Sequence, residues 1–79
     1  MEEIMIERSL YSKLLGYIQI FYQNEVIDTQ WKDQLVKIMM SKEQNSKEEF
    51  VCQINMIRSF CHSQYLQAVC DDCVNMLFE

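Results

Sequence analysis

The chain has almost none of the residues that make tight turns, since its 79 residues include one glycine and no proline. β-Sheet proteins of this size need several tight turns, and Gly and Pro supply the backbone conformations that those turns require. Helices joined by short polar connections need fewer of them. Hydrophobic residues make up 49% of the chain and charged residues 24%, which is typical of a folded globular domain. We therefore expect one all-α domain over residues 1–79.

Apolar residues recur at helical spacing in four segments, which predicts a compact bundle of about four short amphipathic helices. The first segment has an apolar face about 160° wide at 100° per residue. Its two rows are Leu10, Leu14, Tyr17 and Phe21, and beside them Tyr11, Leu15, Ile18 and Tyr22. The other three stripes are Trp31, Leu35, Ile38 and Met39; Phe50, Ile54, Ile57 and Cys61; and Leu66, Val69, Cys70, Cys73 and Leu77.

Polar residues mark where the helices begin. Asp28 or Thr29 can cap the second helix, because a short side-chain oxygen can accept a hydrogen bond from a free amide of the first turn. Ser46 and Glu49 have the spacing of a capping box, in which each side chain bonds the other residue's amide. The sequence therefore predicts that Ser46 caps the third helix.

The third and fourth stripes are either two helices or one bent helix. A single straight helix would turn the fourth stripe about 140–180° away from Phe50. A break near residues 61–63, with Ser63 as the cap of the fourth helix, lets both stripes face one core. We favour four separate helices.

The charge excludes some partners. The formal net charge is −5, and the seven Lys and Arg residues are scattered along the chain. Nucleic acids and anionic membranes are bound through clustered basic residues, so we expect neither as a partner. The N-terminal sequence is acidic and does not resemble a signal peptide, and no apolar stretch reaches the roughly 18 residues of a membrane span. We expect a cytoplasmic protein whose four cysteines are thiols.

Cys61, His62, Cys70 and Cys73 are the one set of side chains with the chemistry of a zinc site. Zinc takes four such ligands in a tetrahedron. However, Cys70 and Cys73 lie within an apolar stripe, where free cysteine behaves as a small hydrophobic residue. We therefore interpret them as buried structural thiols and predict no metal, with a small zinc-stabilised helical module as the alternative. Cys52 lies opposite the third stripe and should be exposed.

His62 is the only histidine, so every Cys-His or Ser-His arrangement would need it. We expect it to be a partly buried packing or capping residue beside the break. One glycine is too few for a phosphate-binding loop. We predict no catalytic residue, no cofactor and no enzymatic activity.

Several apolar residues lie outside the four stripes. They are Met5, Ile6, Ile20, Met40, Met56 and Phe78. Methionine adapts to varied shapes and is common at binding surfaces. We therefore expect a non-enzymatic protein-interaction domain, such as a small adaptor, regulator or inhibitor, that binds a partner through an apolar helix face or groove. The alternative is a homo-oligomer, in which the same face closes a homodimer. The predicted contact residues are Ile20, Tyr22, Trp31, Met40 and Met56. Two alternatives stay open, namely that Trp31 is the main core residue and that part of the surplus apolar set packs in the core or at frayed ends.

Overall fold

The computed structural model describes residues 6–43 and 45–78, and in these residues it contains four α-helices and no strand. Helix α1 spans Tyr11–Gln23, α2 Thr29–Met39, α3 Ser46–Ser59 and α4 Gln64–Leu77, and a 3-10 turn at Arg8–Leu10 precedes α1. The prediction of an all-α fold with separate third and fourth helices is confirmed.

The helices close into a ring, because α1 packs on α2, α2 on α3, α3 on α4, and α4 returns to α1. Neighbouring helices run in opposite directions. Lys47 at the start of α3, for example, lies 5.6 Å from the ring centre of Phe78 at the end of α4. The Cα radius of gyration is 11.8 Å, which matches the roughly 11–12 Å expected of a compact chain of this length.

Most of the buried core comes from the predicted stripes. Helix α3 contributes Phe50, Ile54 and Ile57, all fully buried, and Cys61 follows them. Such burial stabilises the fold by about 1.5–3 kcal/mol for each large side chain. The remaining buried apolar residues are Ile6, Leu14, Ile18, Phe21, Ile27, Leu35, Met39, Val69, Cys70, Cys73 and Leu77.

Two of the predicted helix caps are present. The Asp28 side chain accepts a hydrogen bond of 2.8 Å from the Trp31 amide at the start of α2. The Ser63 hydroxyl accepts one of 3.1 Å from the Tyr65 amide and starts α4 after the break. The break allows the buried faces of α3 and α4 to meet.

The predicted capping box at the start of α3 is wrong. Asn45 occupies the cap position without a side-chain hydrogen bond, and Ser46 is already helical. The Ser46 residue is only 1% exposed, and its hydroxyl has no hydrogen-bond partner within the described ranges. Ser46 is thus buried within the first turn of α3 and does not cap it.

Three other placements differ from the simplest expectation. Ile6, which lies outside the four stripes, is buried, because it precedes the 3-10 turn and does not follow the periodicity of α1. Leu15 is 45% exposed, because the neighbouring helices do not cover the edge of the wide apolar face. His62, expected to be partly buried, is exposed in the turn after α3. Met5 lies outside the described residues.

The two helix starts give opposite predictions for substitution by alanine. Asp28→Ala removes a cap and should lower the free energy of unfolding by about 1 kcal/mol. Ser46→Ala removes a buried hydroxyl that makes no hydrogen bond to any residue that the structure describes, and it should raise the free energy of unfolding by about 1 kcal/mol. Urea denaturation followed by circular dichroism measures both values. A loss of stability in Ser46→Ala would show instead that the hydroxyl caps α3.

Candidate functional site

Trp31 is held in a defined orientation at the start of α2. Its indole Nε1–H donates a hydrogen bond of 2.8 Å to Oε1 of Gln53 on α3. Its ring meets that of Phe60 edge to face, with the centroids 6.0 Å apart and an interplanar angle of 87°. Edge-to-face aromatic pairs add about 0.5–1.5 kcal/mol beyond the area that they bury. The side chain thus bridges α2 and α3 while it remains partly exposed.

Phe60, at the C-terminal cap of α3, contacts Trp31, and Met56 lies next to Phe60 on the outer side of α3 by helical geometry. At 100° per residue, Met56 is about 60° from Gln53 and about 40° from Phe60 around the helix axis, and both of those residues contact Trp31. Met56 is 52% exposed and Phe60 58% exposed. We call these three residues, Trp31, Met56 and Phe60, the apolar patch.

Phe60 is the member of the apolar patch that the sequence-based prediction missed. The sequence does contain an indication of this surface residue. Phe60 is strongly apolar, and yet it lies about 90° from the centre of the stripe around Phe50. Leu15, Tyr65 and Phe78 are exposed as well.

The structure brings Tyr22 together with Trp31 but places Ile20 against the core. Tyr22 and Trp31 line the same cleft at the connection between α1 and α2. The Tyr22 hydroxyl lies 3.1 Å from that of Thr29, and the Lys32 ammonium lies 4.6 Å from the centre of its ring. Ile20 is partly buried and packs on the core, so most of its side chain is committed to folding.

Met40 lies apart from the other predicted contact residues. It is 59% exposed and follows the last residue of α2, about 13 Å along the helix axis from Trp31. It lines a separate cleft of about 600 Å³ with Ile6, Tyr11 and Lys42, among others.

A second surface feature runs between α2 and α3 and adjoins the apolar patch. This α2–α3 groove has a volume of about 450 Å³. Its lining includes two carboxylates, Glu48 and Glu49, and includes no Lys or Arg among the described residues. The lining residues are Gln34, Ile38, Asn45, Glu48, Glu49, Cys52 and Gln53.

The cysteines of the alternative zinc set are part of the core. Cys61, Cys70 and Cys73 are each at most 5% exposed, and the Cys61 thiol donates a hydrogen bond of 3.3 Å to the Ile57 carbonyl. His62 is exposed. Within the described ranges, no three His, Cys, Asp or Glu side chains are arranged to hold a metal ion. Cys52 is exposed, as predicted.

Burial keeps two of these thiols protonated. Burial, together with the neighbouring Cys61, to which Cys70 hydrogen-bonds, and the Asp71 carboxylate, raises the pKa of Cys70 to about 12, although the nearby Arg58 acts in the opposite direction. Burial, followed by the nearby Cys70, raises the pKa of Cys73 to about 12. Because the thiolate is the reactive and metal-binding form, neither residue has the properties of a nucleophile at neutral pH.

None of the described helices is both long enough and apolar enough to cross a membrane. The chain matches no protein-family model, and comparison with curated proteins and with solved structures gives no match. The candidate binding surface is therefore identified from the geometry of this chain and not from a relative.

Exposure predicts different reactivity for the four cysteines. Near neutral pH, a thiol reagent such as 5,5′-dithiobis(2-nitrobenzoic acid) should modify Cys52 quickly and leave Cys61, Cys70 and Cys73 protected until the domain unfolds, because these three are in the core. The absorbance of the released thiolate counts the modified cysteines. The Cys52→Ala variant should lose the fast phase. Fast modification of a second thiol in the folded protein would contradict the buried cluster.

The raised pKa values also predict a loss of stability in alkali. In the folded protein Cys70 and Cys73 hold their protons up to about pH 12, whereas in the unfolded chain they lose them near the ordinary pKa of 9.0. The unfolded state therefore binds fewer protons in this window, and the free energy of unfolding should fall as pH rises through it. Each thiol contributes at most about 1.4 kcal/mol per pH unit.

Lysine and tyrosine titrate in the same range, so variants are needed to assign the effect. Urea denaturation at several pH values should give a shallower pH dependence for Cys73→Ala than for the wild type. Cys52→Ala, which removes an exposed thiol, should keep the wild-type dependence. If the free energy of unfolding depends on pH equally in all three proteins, the buried thiols do not cause the loss of stability in alkali.

Proposed function

We propose that this protein is a non-enzymatic interaction domain that binds a partner protein through the apolar patch of Trp31, Met56 and Phe60. The observation that carries the proposal is a group of three large apolar side chains across α2 and α3, of which Met56 and Phe60 are exposed and Trp31 is partly exposed. Scattered apolar residues on a surface need no explanation, but a contiguous group is typical of a binding site. In this role the domain acts as a small adaptor, regulator or inhibitor.

The chemistry of the patch suits a protein interface. Trp, Phe and Met are enriched at the centres of interfaces, and Trp is frequent among the residues that contribute most to affinity. The indole N–H of Trp31 already donates to Gln53, so a partner that covers the ring leaves no donor without an acceptor. The same bond and the Phe60 contact fix the ring in advance, which reduces the entropy lost on binding.

The alternative occupant of the patch is a second copy of the chain. A domain of this size buries only about 60% of the surface of its unfolded chain, so association of either kind would add to a small core. The two possibilities differ in the mass of the complex and in its dependence on protein concentration.

Site-specific photo-crosslinking tests the proposal, and the chain offers a matched control. A photoreactive benzoylphenylalanine replaces either Phe60, in the patch, or Phe78, which is 60% exposed against 58% for Phe60. In an extract of the source cells, position 60 should give a discrete adduct with another protein, and position 78 should give little. Met56→Glu should reduce the adduct at position 60 by about tenfold, because it places a charge in the apolar contact.

Light scattering and circular dichroism accompany the crosslinking, so that unfolding of a variant is not mistaken for lost binding. An adduct with twice the mass of the chain would favour the homodimer. Equal adducts at both positions, or no adduct at either, would contradict the proposed function.

A further inference from the structure

The α2–α3 groove and the apolar patch form one continuous surface. Gln53 lines the groove and also accepts the hydrogen bond from Trp31, so the acidic end and the apolar end meet at this residue. From Glu49 to Phe60 the surface follows α3 for about 16 Å, or three helical turns. We call it the α2–α3 strip. Its two ends differ in chemistry, with carboxylates at one end and large apolar side chains at the other.

We propose that the α2–α3 strip binds an amphipathic helical segment of a partner protein that has lysine or arginine side chains at one end and large apolar side chains at the other. This inference rests on the proposed function and adds to it the chemistry and the orientation of the partner. The cationic end lies against Glu48 and Glu49, and the apolar end covers Met56 and Phe60. A helix of about three turns is long enough to reach both.

Charge complementarity selects this occupant. Two carboxylates line the groove, and no Lys or Arg lies among its described lining residues. The N-terminus of α3 contributes roughly half a positive charge, which stabilises the first-turn carboxylates. Two negative charges exceed that half charge, so the groove still attracts a cation. Stabilisation of the helix accounts for the presence of Glu48 and Glu49, but it does not account for a groove that continues into an apolar surface.

A second copy of the chain fits the strip less well when strip faces strip, because neither the described lining of the groove nor the apolar patch includes a Lys or Arg. Lys32 follows Trp31 in the sequence, and its ammonium group lies 4.6 Å from the centre of the Tyr22 ring. Arg58 is paired with Asp71 at 2.8 Å. Two copies related by a two-fold axis would therefore cover carboxylates with apolar side chains or with other carboxylates, and both arrangements cost free energy of desolvation.

Three synthetic peptides of about 12 residues, the length of the strip, test the proposal. The first carries its lysines at one end and its leucines at the other. The second has glutamate in place of each lysine, and the third has the composition of the first with lysine and leucine interspersed. Each is titrated into the ¹⁵N-labelled full-length protein, and the amide signals of Glu49 and Cys52 and the indole signal of Trp31 report the two ends of the strip.

We expect the first peptide to bind at least about tenfold more tightly than the other two and to shift the signals of both ends together. A double variant, Glu48→Gln with Glu49→Gln, should reduce the preference for lysine over glutamate to about threefold or less. Asp33→Asn is the matched control, because it removes an exposed carboxylate from α2 that does not line the groove. This control should keep the full preference.

The remaining outcomes separate the inference from the proposed function. If the lysine and glutamate peptides bind equally and both shift the Trp31 signal, the charge preference is overturned while the apolar binding surface stands. If the interspersed peptide binds as tightly as the first, the binding reflects general attraction to an acidic protein, and the inference is overturned. If no peptide shifts either end, or if the strip signals change with protein concentration alone, the inference is overturned, and the crosslinking at position 60 decides the proposed function.

Discussion

The burial of one apolar stripe from each of four helices is the interaction on which this structure depends. No helix of 11–14 residues is stable alone in water, because helices this short are marginal without tertiary contacts. Phe21, Phe50 and Leu35 are completely buried where the helices meet. The ring of helix contacts, closed by α1 against α4, gives each stripe neighbours on both sides.

Helix α3 has a different role on each side. Its inner side places Phe50, Ile54 and Ile57 in the core, while its outer side presents Met56 and Phe60. The inner contacts anchor α3 in the bundle, which sets the relative backbone positions of Met56 and Phe60. In this way the packing that stabilises the fold also prepares the surface that we propose for binding.

The same packing determines the chemistry of the cysteines. A thiolate is destabilised where water cannot reach it, and the pKa of Cys73, which is fully buried, is raised to about 12. The protonation of the Cys70 and Cys73 thiols is therefore determined by their burial and not by their ligand-like spacing. The spacing of two cysteines along a helix describes their relative direction, whereas their ionisation depends on what surrounds them.

Local features of the sequence were enough to predict the helices, the caps at Asp28 and Ser63 and the buried stripe of α3, because each depends on residues within a few positions along the chain. Tertiary structure alone decided that Ser46 is buried, that Leu15 is exposed and that Phe60 meets Trp31. Periodicity defines the direction of a helix face, but the width of the face that becomes covered depends on where the neighbouring helices lie. For the same reason, the meeting of Glu48 and Glu49 with the apolar patch along one strip is a property of the packed helices.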